Sequence, residues 1–138
     1  MLFRSGKWYS SAGDGRIAHG ARDDMAAAIA AGLASGTKES NIYTLTGPHA
    51  YTTSEIATLV TEVTGKPLEV IQLPDEALTE GVKAAGLPED FARIIVSFDA
   101  NTRSGRIAMV TDAVETLSGR KPQTLKQFLE ANKAALAG

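Results

Sequence analysis

Few residues in this chain of 138 amino acids have the type and spacing that catalysis needs. None of its tyrosines (Tyr9, Tyr43 and Tyr51) has a lysine four positions later, where a phenol and an ammonium would stand one helical turn apart. No G-x-S-x-G sequence marks a serine nucleophile, and no Walker A sequence marks a phosphate-binding loop. The sequence therefore indicates no catalytic arrangement that is complete in itself.

Other reactive residue types give no stronger signal. The carboxylate pairs Asp23-Asp24 and Glu89-Asp90 fall at predicted helix starts, where the positive end of the helix dipole accounts for them. His19 and His49 lack the close His, Asp or Glu spacing of a metal site. The absence of cysteine excludes a disulfide, a thiol nucleophile and a zinc-thiolate site.

Two glycines, Gly13 and Gly15, lie in the segment SAGDG. This G-x-G lacks a third glycine, a long preceding strand and an immediate helix, so it is a poor dinucleotide fingerprint. The Asp-Gly pair is typical of a tight turn, and we predict a hairpin turn here.

Composition and charge predict one domain over residues 1–138 with a hydrophobic core, since 43% of the residues are hydrophobic. A net charge of −2 argues against nucleic acid as a partner. The interrupted basic residues Arg103, Arg106 and Arg120-Lys121 are predicted to be solvated surface. No apolar run approaches the roughly 20 residues of a membrane span, and no signal peptide is evident. We expect a cytoplasmic chain without a membrane partner.

The elements that would position any site are organised around residues 41–66. Asn41–Thr46 suits a strand, and the capping box of Thr52 and Glu55 opens a helix. Gly65 closes that helix, and Leu68–Leu73 reads as the next strand. Strand, helix, strand is typical of a parallel sheet. The helix carries one apolar stripe, Ile56, Leu59, Val60 and Val63.

Further strands are predicted at Lys7–Ser10 and Arg16–Gly20. The fold class is therefore α/β, with a small, partly parallel sheet and helices packed around it. Asp23 or Asp24 is expected to cap an alanine-rich helix that continues to Leu33.

Four helices are predicted after the second strand of the central unit. They begin at Asp75, at Pro88, at the Asp112-x-x-Glu115 signal and at the capping box of Thr124 and Gln127. The second of these helices carries an apolar stripe formed by Phe91, Ile94, Ile95 and Phe98. Two interpretations of this stripe are open: packing in the core or against another subunit, and a wall of a substrate pocket.

Several motifs in fixed order carry a family resemblance. They are AGDGRIAHGARDDMAAAI, then YTLTGP, T-x-SEIA and TGK, and finally AGLPEDFA. From about Trp8 to its end, the chain resembles the C-terminal half of the NmrA-like proteins, which are atypical short-chain dehydrogenases. It is most similar to their bacterial NAD(P)H:quinone oxidoreductase branch.

The resemblance implies the substrate-side portion of a Rossmann-type fold. In this family a Gly-rich loop in the N-terminal half holds NADPH or NADH on a helix N-terminus. That G-x-x-G-x-x-G motif matches nowhere in this sequence, so we expect no cofactor to be bound by this chain alone. The implied function is the acceptor side of an NAD(P)H-dependent quinone, or related, oxidoreductase that is inactive by itself.

The resemblance also suggests which residues contact a quinone-like acceptor. Trp8 and Tyr9 could stack on a flat ring, and His19 or Arg22 could stabilise developing oxyanion charge. Arg22 opens the stretch that fits the family's R-x-D-x-A pattern.

Two other interpretations stay open. The chain could be a non-catalytic regulatory or protein-interaction module, as some NmrA-like proteins are, or a truncated fragment without a separate function. Because a missing half exposes a face that it would otherwise cover, we expect a homo-oligomer or a partner that supplies the N-terminal half.

Overall fold

The computed structural model describes residues 5–137, which form an α/β fold, as predicted. Within these residues there are four short strands and seven helices. In chain order the elements are β1 (Lys7–Ser10), β2 (Arg16–Ile17), α1 (Arg22–Ala34), β3 (Tyr51–Thr52), α2 (Thr53–Thr64), β4 (Glu69–Gln72), α3 (Asp75–Ala84), α4 (Glu89–Arg103), α5 (Ala113–Ser118), α6 (Leu125–Ala131) and α7 (Lys133–Ala137).

The strands form two separate pairs. β1 lies parallel to β4, with Lys7 opposite Glu69 and Ser10 opposite Gln72. β2 lies antiparallel to β3, with Arg16 opposite Thr52. A partly parallel sheet is therefore confirmed, but β4 pairs with β1 and not, as the strand–helix–strand pattern predicted, with residues 41–46. β4 is shorter than the predicted Leu68–Leu73, and β2 is shorter than the predicted Arg16–Gly20.

The predicted strand at Asn41–Thr46 is wrong for the described residues, because it forms no ladder with any of them. Its side-chain pattern suits a sheet, but a strand also requires a neighbouring backbone. Side-chain hydrogen bonds hold it instead: Thr111 Oγ1 donates to the Thr44 carbonyl oxygen at 2.5 Å. β3, which the sequence did not reveal, follows after Pro48.

The predicted hairpin at SAGDG is also wrong. The turn is present, with Gly15 N donating to Ala12 O at 3.0 Å, and Gly13 has a φ of +57°. However, β1 and β2 belong to different pairs, so the turn connects two sheets. The backbone of Thr102 lies so close to Gly15 that a side chain does not fit there: a Cβ would lie 2.4 Å from the Thr102 carbonyl oxygen.

α2 is the predicted helix, and its apolar stripe forms the core. Thr52 and Glu55 make the reciprocal capping box, and Gly65 ends the helix at a φ of +72°. Glu55 also holds β2, because its carboxylate binds both Arg16 nitrogens at 2.8 and 2.9 Å. The pKa of Glu55 is lowered mainly by a hydrogen bond from the Thr52 backbone N–H and, to a smaller extent, by hydrogen bonds from Arg16. The buried core cluster joins α2 to α6 through Ile56, Val60, Val63 and Leu129.

α1 begins without the predicted side-chain cap. Its N-cap is Ala21, and neither Asp23 nor Asp24 caps it. Both carboxylates stand in the first turn, where the helix dipole favours them. Asp24 instead accepts a hydrogen bond at 2.7 Å from the backbone N–H of Gln123, far along the chain. α1 packs on α5, where a Cβ at Gly32 would lie 3.9 Å from the Leu117 side chain, and Ala28 of α1 is fully buried.

α3 and α4 form a helical hairpin whose apolar stripe does not face the core. Phe91, Ile94 and Phe98 are at least half exposed, whereas Ala92 and Val96 are buried. The core interpretation of this stripe is therefore wrong for these three residues, while subunit packing and a pocket wall stay predictions. α4 ends at Arg103. None of the described helices is long and apolar enough to cross a membrane.

Candidate functional site

The carboxyl ends of β1 and β4 meet at one edge of the parallel pair. Leu73 N donates to Ser10 O at 2.8 Å, so the loops that leave the two strands begin side by side. Ligands of open α/β sheets bind outside the carboxyl ends of parallel strands. This edge is therefore a geometric candidate for a site.

Asp99 of α4 fixes the loop that follows β1. Its Oδ2 atom accepts hydrogen bonds from Ser10 Oγ at 2.9 Å and from Ser11 N at 2.7 Å. Ser10 Oγ in turn accepts from Ala12 N at 3.1 Å. Because Ser10 is fully buried, its hydrogen bond to the Asp99 carboxylate fixes the position of the end of β1.

Arg103 and Asp75 close the same edge from the helical hairpin. The Arg103 Nη1 and Nη2 atoms lie 3.0 and 2.9 Å from the two Asp75 oxygens, and Nη1 also donates to the Ser11 carbonyl oxygen. Hydrogen bonding from Arg103 is the main cause that lowers the pKa of Asp75 and, reciprocally, raises that of Arg103. Arg103 is exposed, as predicted for a solvated surface, and this ion pair also holds its side chain in place.

A cleft of about 350 Å³ opens between these groups. Gln72 bridges its floor: Oε1 accepts from Gly13 N at 3.0 Å, and Nε2 donates to Thr53 Oγ1 at 3.3 Å. Asp75 and Arg103 at the cleft are already paired with each other, so this pair can orient a small molecule but is not itself an evident nucleophile or base. The cleft is lined by Ser11, Gly13, Gln72, Leu73, Pro74, Asp75, Glu76 and Arg103.

Trp8 and Tyr9 occupy adjacent positions of β1. Trp8 is partly buried against the α2–α6 core cluster. Because successive strand residues point to opposite faces, Tyr9 points away from that cluster and is 43% exposed. The structure therefore does not bring these two rings together on one face.

His19 and Arg22 flank the start of α1. The backbone of Gly47 passes so close that a Cβ there would lie 1.8 Å from the His19 carbonyl oxygen. His19 is exposed as a residue, yet the surrounding protein removes part of the water around its ring, and this desolvation lowers its pKa. Arg22 is the first residue of α1 and is exposed.

Sequence reasoning missed the hydrogen-bonded groups at the strand edge. The sequence indicates Asp75 only as a helix start, and it gives no local signal for Asp99. Their partners lie 28 and 89 positions away along the chain, so no local spacing could have revealed them. Among the described residues, no group of three or more His, Cys, Asp or Glu could hold a metal ion.

No family model matches the chain, but several curated proteins are similar to it. The chain is 27% identical over 129 residues to the uncharacterized oxidoreductase YesF of Bacillus subtilis, covering 94% of this chain and 45% of the relative. It is 27% identical to the NAD(P)H azoreductase of Xenophilus azovorans, covering 94% and 46%. With quinone oxidoreductase 2 of Escherichia coli it shares 29% identity, covering 88% and 43%. The chain thus spans less than half the length of these relatives.

Solved structures also match nearly the whole of this chain and less than half of their own length. The NADPH-dependent quinone oxidoreductase of Escherichia coli superimposes with a TM-score of 0.87 at 27% identity, covering 94% of this chain and 47% of that one. The triphenylmethane reductase of Citrobacter sp. gives a TM-score of 0.87 at 25% identity, covering 96% and 46%. With its α/β fold, the chain is thus similar over nearly its whole length to less than half of these oxidoreductases, in line with the predicted resemblance to the C-terminal half of the NmrA-like proteins.

Proposed function

We propose that this chain supplies the acceptor side of an NAD(P)H-dependent oxidoreductase whose acceptor is a quinone or a related flat, conjugated molecule. The observation that carries the proposal is the match of 94% of the chain to less than half of two oxidoreductases, one of which is an NAD(P)H azoreductase. A chain that corresponds to one part of such an enzyme needs the other part for turnover.

The names of the relatives favour one class of acceptor. They include a quinone oxidoreductase, an azoreductase and a triphenylmethane reductase. Quinones, azo compounds and triphenylmethane dyes are conjugated molecules that become reduced when they accept a hydride. The acceptor proposed for this chain is therefore recognised by aromatic stacking and by groups that stabilise developing negative charge.

Nicotinamide cofactor binding does not fit the residues of this chain by itself. The sequence has no G-x-x-G-x-x-G loop, and the turn at Gly13 and Gly15 opens no helix. We therefore propose that NADPH or NADH is held by the part of the fold that this chain does not span, and that the chain acts on the acceptor.

The proposed acceptor contacts are Trp8, Tyr9, His19 and Arg22, of which Trp8 and Tyr9 point to opposite faces of β1 and cannot stack together on one ring. The exposed ring of Tyr9 is available for stacking, while Trp8 keeps only part of its ring accessible behind β1. Arg22 carries a permanent positive charge, and it or His19 would meet an oxyanion that develops on the acceptor.

A fusion tests the proposal. The portion of quinone oxidoreductase 2 that this chain does not match would be joined to residues 1–138, and NADPH oxidation with a small quinone would be measured. We expect turnover by the fusion and neither NADPH binding nor turnover by the chain alone. Arg22→Ala and His19→Ala should lower kcat/KM, whereas Arg120→Ala, which changes an exposed arginine near α5, should not. Unchanged kinetics for both site variants would remove Arg22 and His19 from the site.

The exposed apolar stripe on α4 favours a second candidate, a non-catalytic interaction module. Phe91, Ile94 and Phe98 would then contact a partner protein or a second copy of the chain. A fusion that binds NADPH but reduces no quinone, azo or triphenylmethane acceptor would favour this candidate. Sedimentation of the chain at rising concentration would test the predicted homo-oligomer.

A further inference from the structure

Strand β4 has a neighbouring strand on one side only among residues 5–137. Leu73 N donates to Ser10 O at 2.8 Å, so this N–H group faces the β1 side. Because the backbone groups of successive strand residues alternate in direction, the N–H groups of Val70 and Gln72 face away from β1. An open edge of this kind is a template on which another strand can pair.

A groove of about 370 Å³ runs beside this open edge, next to α2. Leu68 and Val70 form its strand side, and both are half-buried. Leu68 N donates to Thr61 Oγ1 at 3.1 Å, so α2 lies directly beside the edge. The distance at which two helices pack depends on the side chains between them, and small ones allow a close approach. α2 lines the groove mainly with small side chains, namely Ser54, Ala57, Thr58 and Thr61.

The two ends of β4 carry opposite charges. Lys66 precedes the strand, and Asp75 and Glu76 follow it at the start of α3. If β4 pairs antiparallel with β4 of a second copy, centred on Val70, position 66 of each copy lies opposite position 74 of the other, beside the acidic start of α3. Two-fold symmetry makes this attraction occur twice. A parallel pairing would instead align like charges, which is unfavourable.

We propose that β4 pairs antiparallel with β4 of a second copy of this chain, so that the two parallel pairs become one four-stranded sheet. The two strands of each copy span about 10 Å. This spacing sets the two α2 helices side by side on one face, since packed helices lie about 8–10 Å apart. Val70 of each copy would enter the groove of the other, and its N–H would gain an acceptor. The proposal does not depend on the proposed function.

The pairing would also add a group to the candidate cleft. Asp75 and Glu76 line that cleft at the carboxyl end of β4. Lys66 of the second copy would therefore place a positive charge at its rim. Because antiparallel strands end in opposite directions, the two clefts would lie at opposite ends of the dimer and would not block each other.

Sedimentation velocity over a concentration series tests the proposal. We expect a reversible monomer–dimer equilibrium. Lys66→Glu and Glu76→Lys should each raise the dimer Kd about tenfold, because an attraction becomes a repulsion at two symmetric places. The double variant Lys66→Glu/Glu76→Lys should restore most of the affinity. Lys38→Glu, at an exposed lysine before residue 41, is the matched control and should leave Kd unchanged.

Hydrogen exchange locates the contact. The Val70 amide should exchange about tenfold or more slowly when the dimer predominates than in dilute monomer. The Leu73 amide is the internal control, because it donates to Ser10 in both states. Val70→Pro should give a folded monomer, since proline is tolerated where a strand N–H faces away from its neighbour. If this variant unfolds, the charge-reversal set decides by itself.

Three outcomes would overturn the proposal. The first is a chain that stays monomeric at every concentration while its circular dichroism shows it folded. The second is a dimer that survives Lys66→Glu and Val70→Pro but dissociates in Phe98→Glu, because the copies would then dock through α4. The third is protection of the Val70 amide that does not change with concentration, because a segment of the same chain would then cover the edge.

Discussion

Arg103 and Asp75 form a two-point ion pair that joins the last residue of α4 to the first residue of α3. Both guanidinium Nη atoms contact the carboxylate, at 3.0 and 2.9 Å. Because Arg103 Nη1 also donates to the carbonyl oxygen of Ser11, the pair connects the helical hairpin to the loop after β1. One side chain thus sets the relative position of three segments around the cleft.

Arg103→Lys should lower stability although it keeps the positive charge. A lysine ammonium cannot reproduce the planar fork that binds both Asp75 oxygens and Ser11. Urea unfolding followed by circular dichroism would measure the loss as a lower midpoint. Arg106→Lys, three positions later on the exposed surface, is the matched control. Equal midpoints for the two variants would show that solvent screening removes the contribution of the pair.

Gly47→Ala should destabilise the chain strongly. The new Cβ would lie 1.8 Å from the His19 carbonyl oxygen, so two backbone segments must separate. We expect a loss of about 3 kcal/mol in the free energy of unfolding. Gly81→Ala is the control, because nothing lies within 4 Å of its Cβ position. Since Gly81 is inside α3, alanine should stabilise the helix by up to about 1 kcal/mol. Similar midpoints for the two variants would contradict the close approach.

Leu129→Ala should show the contribution of the α2–α6 core. Leu129 is buried and packs with Ile56, Val60 and Val63, so truncation leaves a cavity among them. We expect a loss of about 2–5 kcal/mol in the free energy of unfolding. Phe128→Ala, at the adjacent exposed position, should cost much less. If both variants unfolded at the same denaturant concentration, the core would not depend on this contact.

His19 should make stability depend on pH in a definite direction. Desolvation lowers its folded pKa below the model-peptide value of 6.5, so the unfolded chain takes up the proton first as pH falls. The His19 contribution is therefore complete above pH 6.5 and is lost as pH drops through 6.5 toward the lowered folded pKa. His19→Gln should flatten thermal stability across this interval, whereas His49→Gln, which keeps His19, should not. A parallel pH dependence in wild type and His19→Gln would contradict this assignment.

Local signals predicted helix ends well because their partners are only a few residues apart. Both capping boxes, at Thr52 and at Thr124, and the helix end at Gly65 formed as expected. Each depends on hydrogen bonds within one or two turns, which the sequence shows directly. α1 is the exception, since Asp24 binds the distant Gln123 backbone rather than capping its own helix.

Strand pairing could not be predicted equally well, because it depends on distant backbone. The strand-like residues 41–46 lack a neighbour among the described residues, while Tyr51–Thr52 gains one from Arg16–Ile17. Side-chain pattern also could not show which face of α4 would be covered, and Phe98 is 65% exposed as a result. Tyr9 and Arg22 of the candidate site are accessible. That Trp8 and Tyr9 point to opposite faces of β1 follows from strand geometry, which the sequence motif alone does not show.

The parallel pairing of β1 with β4 has a consequence for the order in which the chain acquires structure. Lys7 pairs with Glu69, and the end of β1 is fixed by Asp99, 89 positions after Ser10. During synthesis at about 5–20 residues per second, β1 therefore waits roughly 5–20 seconds for its last partner. In that interval no Asp99 fixes the end of β1, whereas α2, with its own caps, is already complete. Slow translation between β4 and α4 would lengthen the period in which the nascent chain can aggregate.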